Sequence, residues 1–235
     1  MRTSISGPHT LSAFDADLHE VTGLILQMSG LVIVALEKAL CALTNSDENI
    51  AREVTSADRI IDELQAGVER TVVRTIALRA PMADDLRALV VAIRMASLLE
   101  RAGDHAKSIS RHPERVSPCD AAGALNILGR MGEHAVAMLR DAVTAYAASD
   151  CKMAGAVRAR DAELDRLFVE VHQLLLRRMK DDPHFASPGT QLLMIGKKIE
   201  RVGDYAASIS DSVQYMVTGE HFTDWSTAPD LSVAA

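Results

Sequence analysis

Apolar residues recur every three or four positions along most of the chain, with polar residues between them. Residues 50–72 show the pattern well, with apolar side chains at Ile50, Val54, Ala57, Ile61, Leu64, Val68 and Val72. This spacing places the apolar side chains on one face of an α-helix, as in a helix that packs in a bundle. No strand-like alternation competes with it. The pattern therefore predicts an all-α protein.

Prolines and turn-forming polar residues divide this pattern into six segments. The predicted helices span residues 12–43, 47–79, 85–112, 121–148, 151–182 and 190–218. Residues 112–120 contain two prolines and are predicted to be a linker, and residues 183–189 are predicted to be a loop. Because most connections are short, we expect sequential helices to be antiparallel neighbours.

The second half of the chain repeats the first. ERAGDHAKSIS begins at Glu100 and ERVGDYAASIS begins at Glu200, and eight of these eleven positions are identical. The break before the second predicted helix also corresponds to the break before the fifth. The duplication predicts six helices in two tandem antiparallel three-helix bundles, over residues 12–112 and 120–218, followed by a tail over residues 219–235.

Each copy of the repeated motif carries two carboxylates one helical turn apart. Glu100 is followed by Asp104, and Glu200 is followed by Asp204. Residues four apart share one face of a helix, where two like charges destabilise an isolated helix by a few tenths of a kcal/mol. Because the unfavourable pair recurs in the same register, we expect these carboxylates to bind a cation.

A second set of acidic pairs lies on the middle helix of each repeat. Asp58 and Asp62 correspond to Asp161 and Asp165, each at an offset of 103 residues (161 minus 58). Together with the first set they would form two clusters of four carboxylates. Carboxylates without imidazole or thiolate favour hard ions such as magnesium, calcium, manganese or oxidised iron. In the alternative interpretation the acidic residues only flank the packed face, neutralised by Arg59, Lys107, Arg166 and Lys198.

Composition and charge limit which classes of partner and which cellular location we expect for this chain. The formal net charge of −7 argues against nucleic acid as a partner. Three dispersed cysteines, with no signal peptide in view, favour the cytoplasm.

The apolar run over residues 21–36 is shorter than the roughly 20 residues that a membrane span needs, and it contains Thr22, Gln27 and Ser29. We therefore expect at most peripheral membrane association, and a homodimer or partner contact that buries this run.

The acidic motifs ERAGDHA and ERVGDYA resemble the motif of the PhoU family. The run APMADDLRALVVAIRMASLLERAGDHA and the segment DRIIDELQ share this resemblance, which covers residues 14–217. It implies paired three-helix bundles whose acidic motifs hold iron, zinc or other metal ions. The second repeat departs from the first before Glu200, in HFASPGTQLLMIGKK, so the resemblance supports the first site more than the second.

The resemblance also implies a function. It suggests a cytoplasmic accessory of the high-affinity phosphate transporter that restrains phosphate uptake and the phosphate-starvation response. Such an adaptor would contact the transporter's ATPase subunit and the phosphate-sensing histidine kinase. Two alternatives stay open. One is a metal-dependent hydrolase or oxidase, although no Glu precedes a His by three residues here. The other is a structural helical scaffold that binds no metal.

Overall fold

The chain is described here as a computed structural model, over residues 8–45, 48–111 and 118–221. Within these ranges it forms six α-helices and one short 3-10 helix, with no strand. The helices are α1 (Pro8–Asn45), α2 (Glu48–Arg79), α3 (Asp84–Ser110), α4 (Pro118–Ala148), α5 (Cys151–Asp181) and α6 (Ala186–Thr218). The predicted all-α fold with six helices is confirmed.

The helix bounds differ from the prediction mainly at the N-termini. The loop predicted over residues 183–189 was wrong, because Pro183–Phe185 forms a 3-10 turn and α6 begins at Ala186. Pro188 does not prevent this early start, since the first turn of a helix does not use its N–H groups in intrahelical bonds. α4 likewise begins at Pro118, whereas the rest of the predicted linker, residues 112–117, lies outside the described residues.

Two helix ends show why the chain turns where it does. The side chain of Asp150 accepts hydrogen bonds from the backbone N–H groups of Lys152 and Met153, at 2.8 and 3.0 Å, and so caps the start of α5. Gly219 ends α6 in the left-handed conformation, with φ of 79°, which glycine adopts without steric cost.

Each set of three helices packs around buried apolar side chains, and those of the two sets join in one continuous core. In the first set the fully buried side chains include Ile25 and Met28 of α1, Ile61 of α2, and Met95 and Leu99 of α3. The second set is equivalent, and its buried side chains include Leu128, Met131, Leu164 and Ile199. The predicted pair of three-helix bundles is confirmed.

The two bundles join through their first and third helices. α1 packs on α4 and α3 packs on α6, whereas α2 contacts only α1 and α3 among the described elements. His105 stacks on Tyr205, its counterpart in the second repeat, and Glu37 forms an ion pair with its counterpart Arg140. Residues that contact their own counterparts lie near a symmetry axis, so the repeats are related by an approximate two-fold axis.

α1 is unusually apolar because it packs within the first bundle and also against α4 of the second. By length and composition alone, Ala13–Leu43 could cross a membrane. Its side chains Ile25, Met28 and Val32 are fully buried in the first core, and Leu40 packs so closely on Gly132 of α4 that a Cβ there would overlap it. Much of the apolar surface that predicted a partner contact is therefore used within the chain.

Candidate metal centre

The first acidic cluster lies between α2 and α3. Burial raises the pKa of Glu100, and the charges of Asp104 and Asp62 raise it further. The pKa of Asp62 is raised by desolvation and then by the charges of Asp58 and Asp104. Because these shifts require the carboxylates to lie near one another, the structure brings together all four acidic residues of the first repeat.

A lysine occupies this first cluster. The Nζ of Lys107 donates a short hydrogen bond to Oδ2 of Asp58 and lies 3.8 Å from Oδ1 of Asp104. The bond to Asp58 raises the pKa of Lys107, so the side chain stays charged. The alternative interpretation named three other basic residues, and each of them has a different partner. Arg59 forms an ion pair with Glu63, and Arg166 forms one with Glu163. Lys198 donates a hydrogen bond to Ser108.

The second cluster lies between α5 and α6. Burial raises the pKa of Asp161 to about 6, helped by the charges of Asp165, Asp204 and Glu200. The pKa of Asp204 is also raised, by burial and then by Glu200. The structure thus brings together the four acidic residues of the second repeat as well. The negative charges of the other three add to the effect of burial on the pKa of Asp161.

Glu200 contributes a carboxylate oxygen that has no partner. Its Oε1 accepts a hydrogen bond from Lys197 at 2.5 Å, whereas its Oε2 is buried without any hydrogen bond. The side chain is only 12% exposed. A buried acceptor without a donor costs about 1–3 kcal/mol, and more when it is charged. The cluster therefore offers a cation one carboxylate oxygen that no side-chain donor occupies.

The donor chemistry of both clusters fits a hard cation. Four carboxylates offer only oxygen ligands, which suit magnesium, manganese, calcium and ferric iron. Among the described residues, however, no three His, Cys, Asp or Glu side chains converge tightly enough to form a ready-made site. The carboxylates are neighbours whose side chains would have to turn inward to share one ion.

A cleft with a volume of about 780 Å³ opens beside the second cluster. Besides Asp161, Asp165 and Asp204, its lining includes Arg94, Arg158, Arg201, Asp211 and His221. The sequence analysis missed these five residues. Asp211 lies seven residues after Asp204, so helical spacing could have placed it on the same face. Arg94 comes from α3 of the other repeat, and no local pattern predicts that contact.

His105 is adjacent to Asp104 in sequence but belongs to the contact between the repeats. Its Nε2 lies 3.2 Å from the hydroxyl oxygen of Tyr205, and the two rings stack with centroids 5.7 Å apart. Burial lowers the pKa of His105, and the positive charge of Lys198 lowers it further. A neutral imidazole packed on a tyrosine is a structural contact between the two bundles.

Comparison with known proteins identifies the fold and the repeat. The model of the PhoU domain family matches the chain twice, over residues 25–112 and 128–213. A phosphate-specific transport system accessory protein PhoU homolog from Zymomonas mobilis is 36% identical over 223 residues, which cover 95% of this chain and 94% of that protein. The homolog from Rhizobium meliloti is 36% identical over 219 residues, covering 92% and 91%.

Solved structures agree with the sequence relatives. The phosphate transport system regulatory protein PhoU from Streptococcus pneumoniae has a TM-score of 0.77 and 29% identity, over 89% of this chain and 99% of that chain. PhoU from Pseudomonas aeruginosa has a TM-score of 0.79 and 28% identity, over 88% and 100%. The duplicated acidic motifs, the two three-helix bundles and these matches together show that the chain belongs to the PhoU family.

Proposed function

We propose that this protein is a cytoplasmic, non-enzymatic regulator that restrains phosphate uptake and the phosphate-starvation response when phosphate is plentiful. The observation that carries the proposal is the pair of carboxylate clusters on a PhoU fold. The proteins similar to this chain are named as phosphate-specific transport system accessory proteins. We further propose that it acts as an adaptor between the ATPase subunit of the phosphate transporter and a phosphate-sensing histidine kinase.

The proposal includes bound metal, with iron, zinc, manganese or magnesium as candidates. Asp161, Asp165, Glu200 and Asp204 would hold it in the second repeat, and Asp58, Asp62, Glu100 and Asp104 are the equivalent residues in the first. A bound cation would neutralise the carboxylates and link the second helix of a repeat to the third. The unpartnered Oε2 of Glu200 supports this role.

The proposal also includes a homodimer, or a partner-bound state, formed through the outer face of α1. Leu26 and Val34 are half-exposed there, and Gly23 and Gly30 have no atom within 4 Å of a Cβ built on them. Exposed apolar side chains beside open glycines allow another surface to approach closely.

Deletion of the gene in its own host tests the regulatory role. In phosphate-rich medium, we expect the deletion strain to take up labelled phosphate faster and to express a starvation reporter, and a plasmid copy of the wild-type gene should reverse both changes. Normal repression in the deletion strain, in a genome without a second copy, would contradict the proposal.

Elemental analysis tests the metal component separately. Protein purified without chelator or affinity metal should carry one of the candidate ions. If it stays metal-free after dialysis against each of them, the structural scaffold is the better interpretation. Hydrolysis of phosphoesters by metal-loaded protein would instead support the hydrolase.

A further inference from the structure

The two acidic clusters differ at one position that faces the carboxylates. Residue 107 is a lysine in the first repeat, and its counterpart 100 residues later, residue 207, is an alanine. The carboxylate that Lys107 contacts, Asp58, corresponds to Asp161 in the second repeat. The chain thus contains the same cluster twice, once with a lysine and once without it.

Lys107 lies inside the first cluster. Its side chain is only 28% exposed, and Asp58, which accepts its hydrogen bond, is 9% exposed. This contact joins α3 to α2, and Asp104 lies 3.8 Å from the same Nζ. The ammonium group therefore lies between carboxylates of two helices, which is the position that a shared metal ion would take.

The second cluster has no lysine at this position. Ala207 lines the cleft together with Asp161, Asp165 and Asp204. Arg94 and Arg158 also line the cleft, and two further basic groups contact the acidic residues from more exposed positions. Lys197 and Arg201 bind Glu200 and Asp204, each three residues along α6 from its partner, and both basic side chains are about half-exposed. Arg158 also places positive charge near Asp161. Even with these groups present, Oε2 of Glu200 has no partner.

We infer that Lys107 is a built-in counter-ion that disfavours metal in the first cluster, so that the second cluster is the stronger metal site of this chain. The inference rests on the metal binding proposed above. To bind an ion, the first cluster must displace a partly buried ammonium from Asp58, and it must hold two positive groups close together. The second cluster has an alanine and an unpartnered carboxylate oxygen instead.

Exchanging the two residues tests the inference. Mn²⁺ is the probe, and the signal of the free ion in electron paramagnetic resonance measures binding to the full-length protein. We expect Ala207→Lys to weaken the tightest Mn²⁺ binding of the wild type by at least about tenfold, a change that corresponds to about 1.4 kcal/mol. We expect Lys107→Ala to add a second ion of comparable affinity.

A matched pair of carboxylate variants locates the ion without changing Lys107. Asp62 and Asp165 are equivalent and both are exposed. Asp165→Asn should weaken the tight site at least about tenfold, whereas Asp62→Asn should leave it unchanged. Circular dichroism verifies that each variant is folded, and this comparison decides the question even if Lys107→Ala does not fold.

The possible failures are distinguishable. Two equally tight ions in the wild type, or tight binding that Asp62→Asn abolishes and Asp165→Asn does not affect, would overturn the role of Lys107 and leave metal binding intact. No Mn²⁺ bound by any variant would overturn both the inference and the metal component of the proposed function.

Discussion

At the scale of single residues, Asp58 and Asp161 show how one neighbour changes the behaviour of equivalent carboxylates. Asp58 is paired with Lys107, whereas Asp161 faces three other carboxylates and its pKa is raised to about 6 from 3.8. Below pH 3.8 the Asp161 carboxyl is protonated in both the folded and the unfolded chain. Its favourable contribution to stability is present there and is lost as the pH rises through about 6.

Replacing these aspartates with asparagine should therefore have opposite effects. In metal-free protein at pH 7, Asp161→Asn removes a charge that is disfavoured first by burial and then by its acidic neighbours, and we expect the melting temperature to rise by about 2–4 °C. At about pH 3.5 the gain should largely disappear, because Asp161 is then mostly protonated in both the folded and the unfolded chain. Thermal unfolding followed by circular dichroism, with a chelator present, measures both values.

The matched control is Asp58→Asn. It should lower the melting temperature at pH 7, because it removes a hydrogen bond between charged groups that is worth about 1.5–3 kcal/mol. Shifts of the same sign in the two variants would contradict the assigned electrostatics.

At the scale of helices, glycines at equivalent positions differ in how closely they are packed. A Cβ on Gly103 of α3 would lie 3.1 Å from Cδ1 of Ile61, whereas one on Gly203 of α6 would overlap the fully buried Leu164. The side chain of Leu164 thus fills the space beside Gly203 more tightly than the side chain of Ile61 fills the space beside Gly103.

We expect Gly203→Ala to lower the free energy of unfolding. Alanine favours the helix by about 1 kcal/mol, but forcing a methyl group into a packed core costs about 1–3 kcal/mol. Gly129→Ala on α4 is the control, because it gains the helix propensity without a clash and lies outside the proposed assembly face of α1. Urea unfolding should show a loss for Gly203→Ala and a gain of up to about 1 kcal/mol for Gly129→Ala. A gain for both would mean that Leu164 has room to move.

At the scale of the whole molecule, the approximate two-fold arrangement packs part of the apolar surface of α1 against α4, whereas Ile25, Met28 and Val32 lie in the first bundle. The part that remains outside includes Val34, which is 47% exposed, whereas its neighbour Ile33 packs against the core. Val34 is therefore the better position for testing an assembly surface, since a charge there does not enter the core.

We predict that Val34→Asp converts a homodimer into a monomer without lowering the melting temperature of the monomer. A charge at the centre of an apolar contact must be desolvated, which opposes association. Light scattering at tens of micromolar measures the change in mass. Val73→Asp, at an exposed position on α2, is the control and should not affect the mass. A wild-type protein that is already monomeric would remove the homodimer and leave a partner protein as the occupant of this face.

Much of the site was predictable because its signals are local. Residues four apart share one face of a helix, which places Glu100 beside Asp104 and Glu200 beside Asp204. The duplication places the second pair in register with the first. Asp58 and Asp161 followed from the same duplication, at an offset of 103 residues (161 minus 58). The cleft was not predictable, because Arg94 reaches it from another repeat.

The sequence alone determined the six helices, their pairing into two bundles and the membership of each acidic cluster, since these depend on helical spacing within one or two turns and on the internal duplication. Only the tertiary structure decided which faces meet. It placed part of the surplus apolar surface of α1 against α4, and His105 against Tyr205. It also brought Lys107 to Asp58 and left Oε2 of Glu200 without a partner. Such contacts depend on how close two helices come and how far one side chain reaches, and neither quantity is encoded in the spacing along one helix.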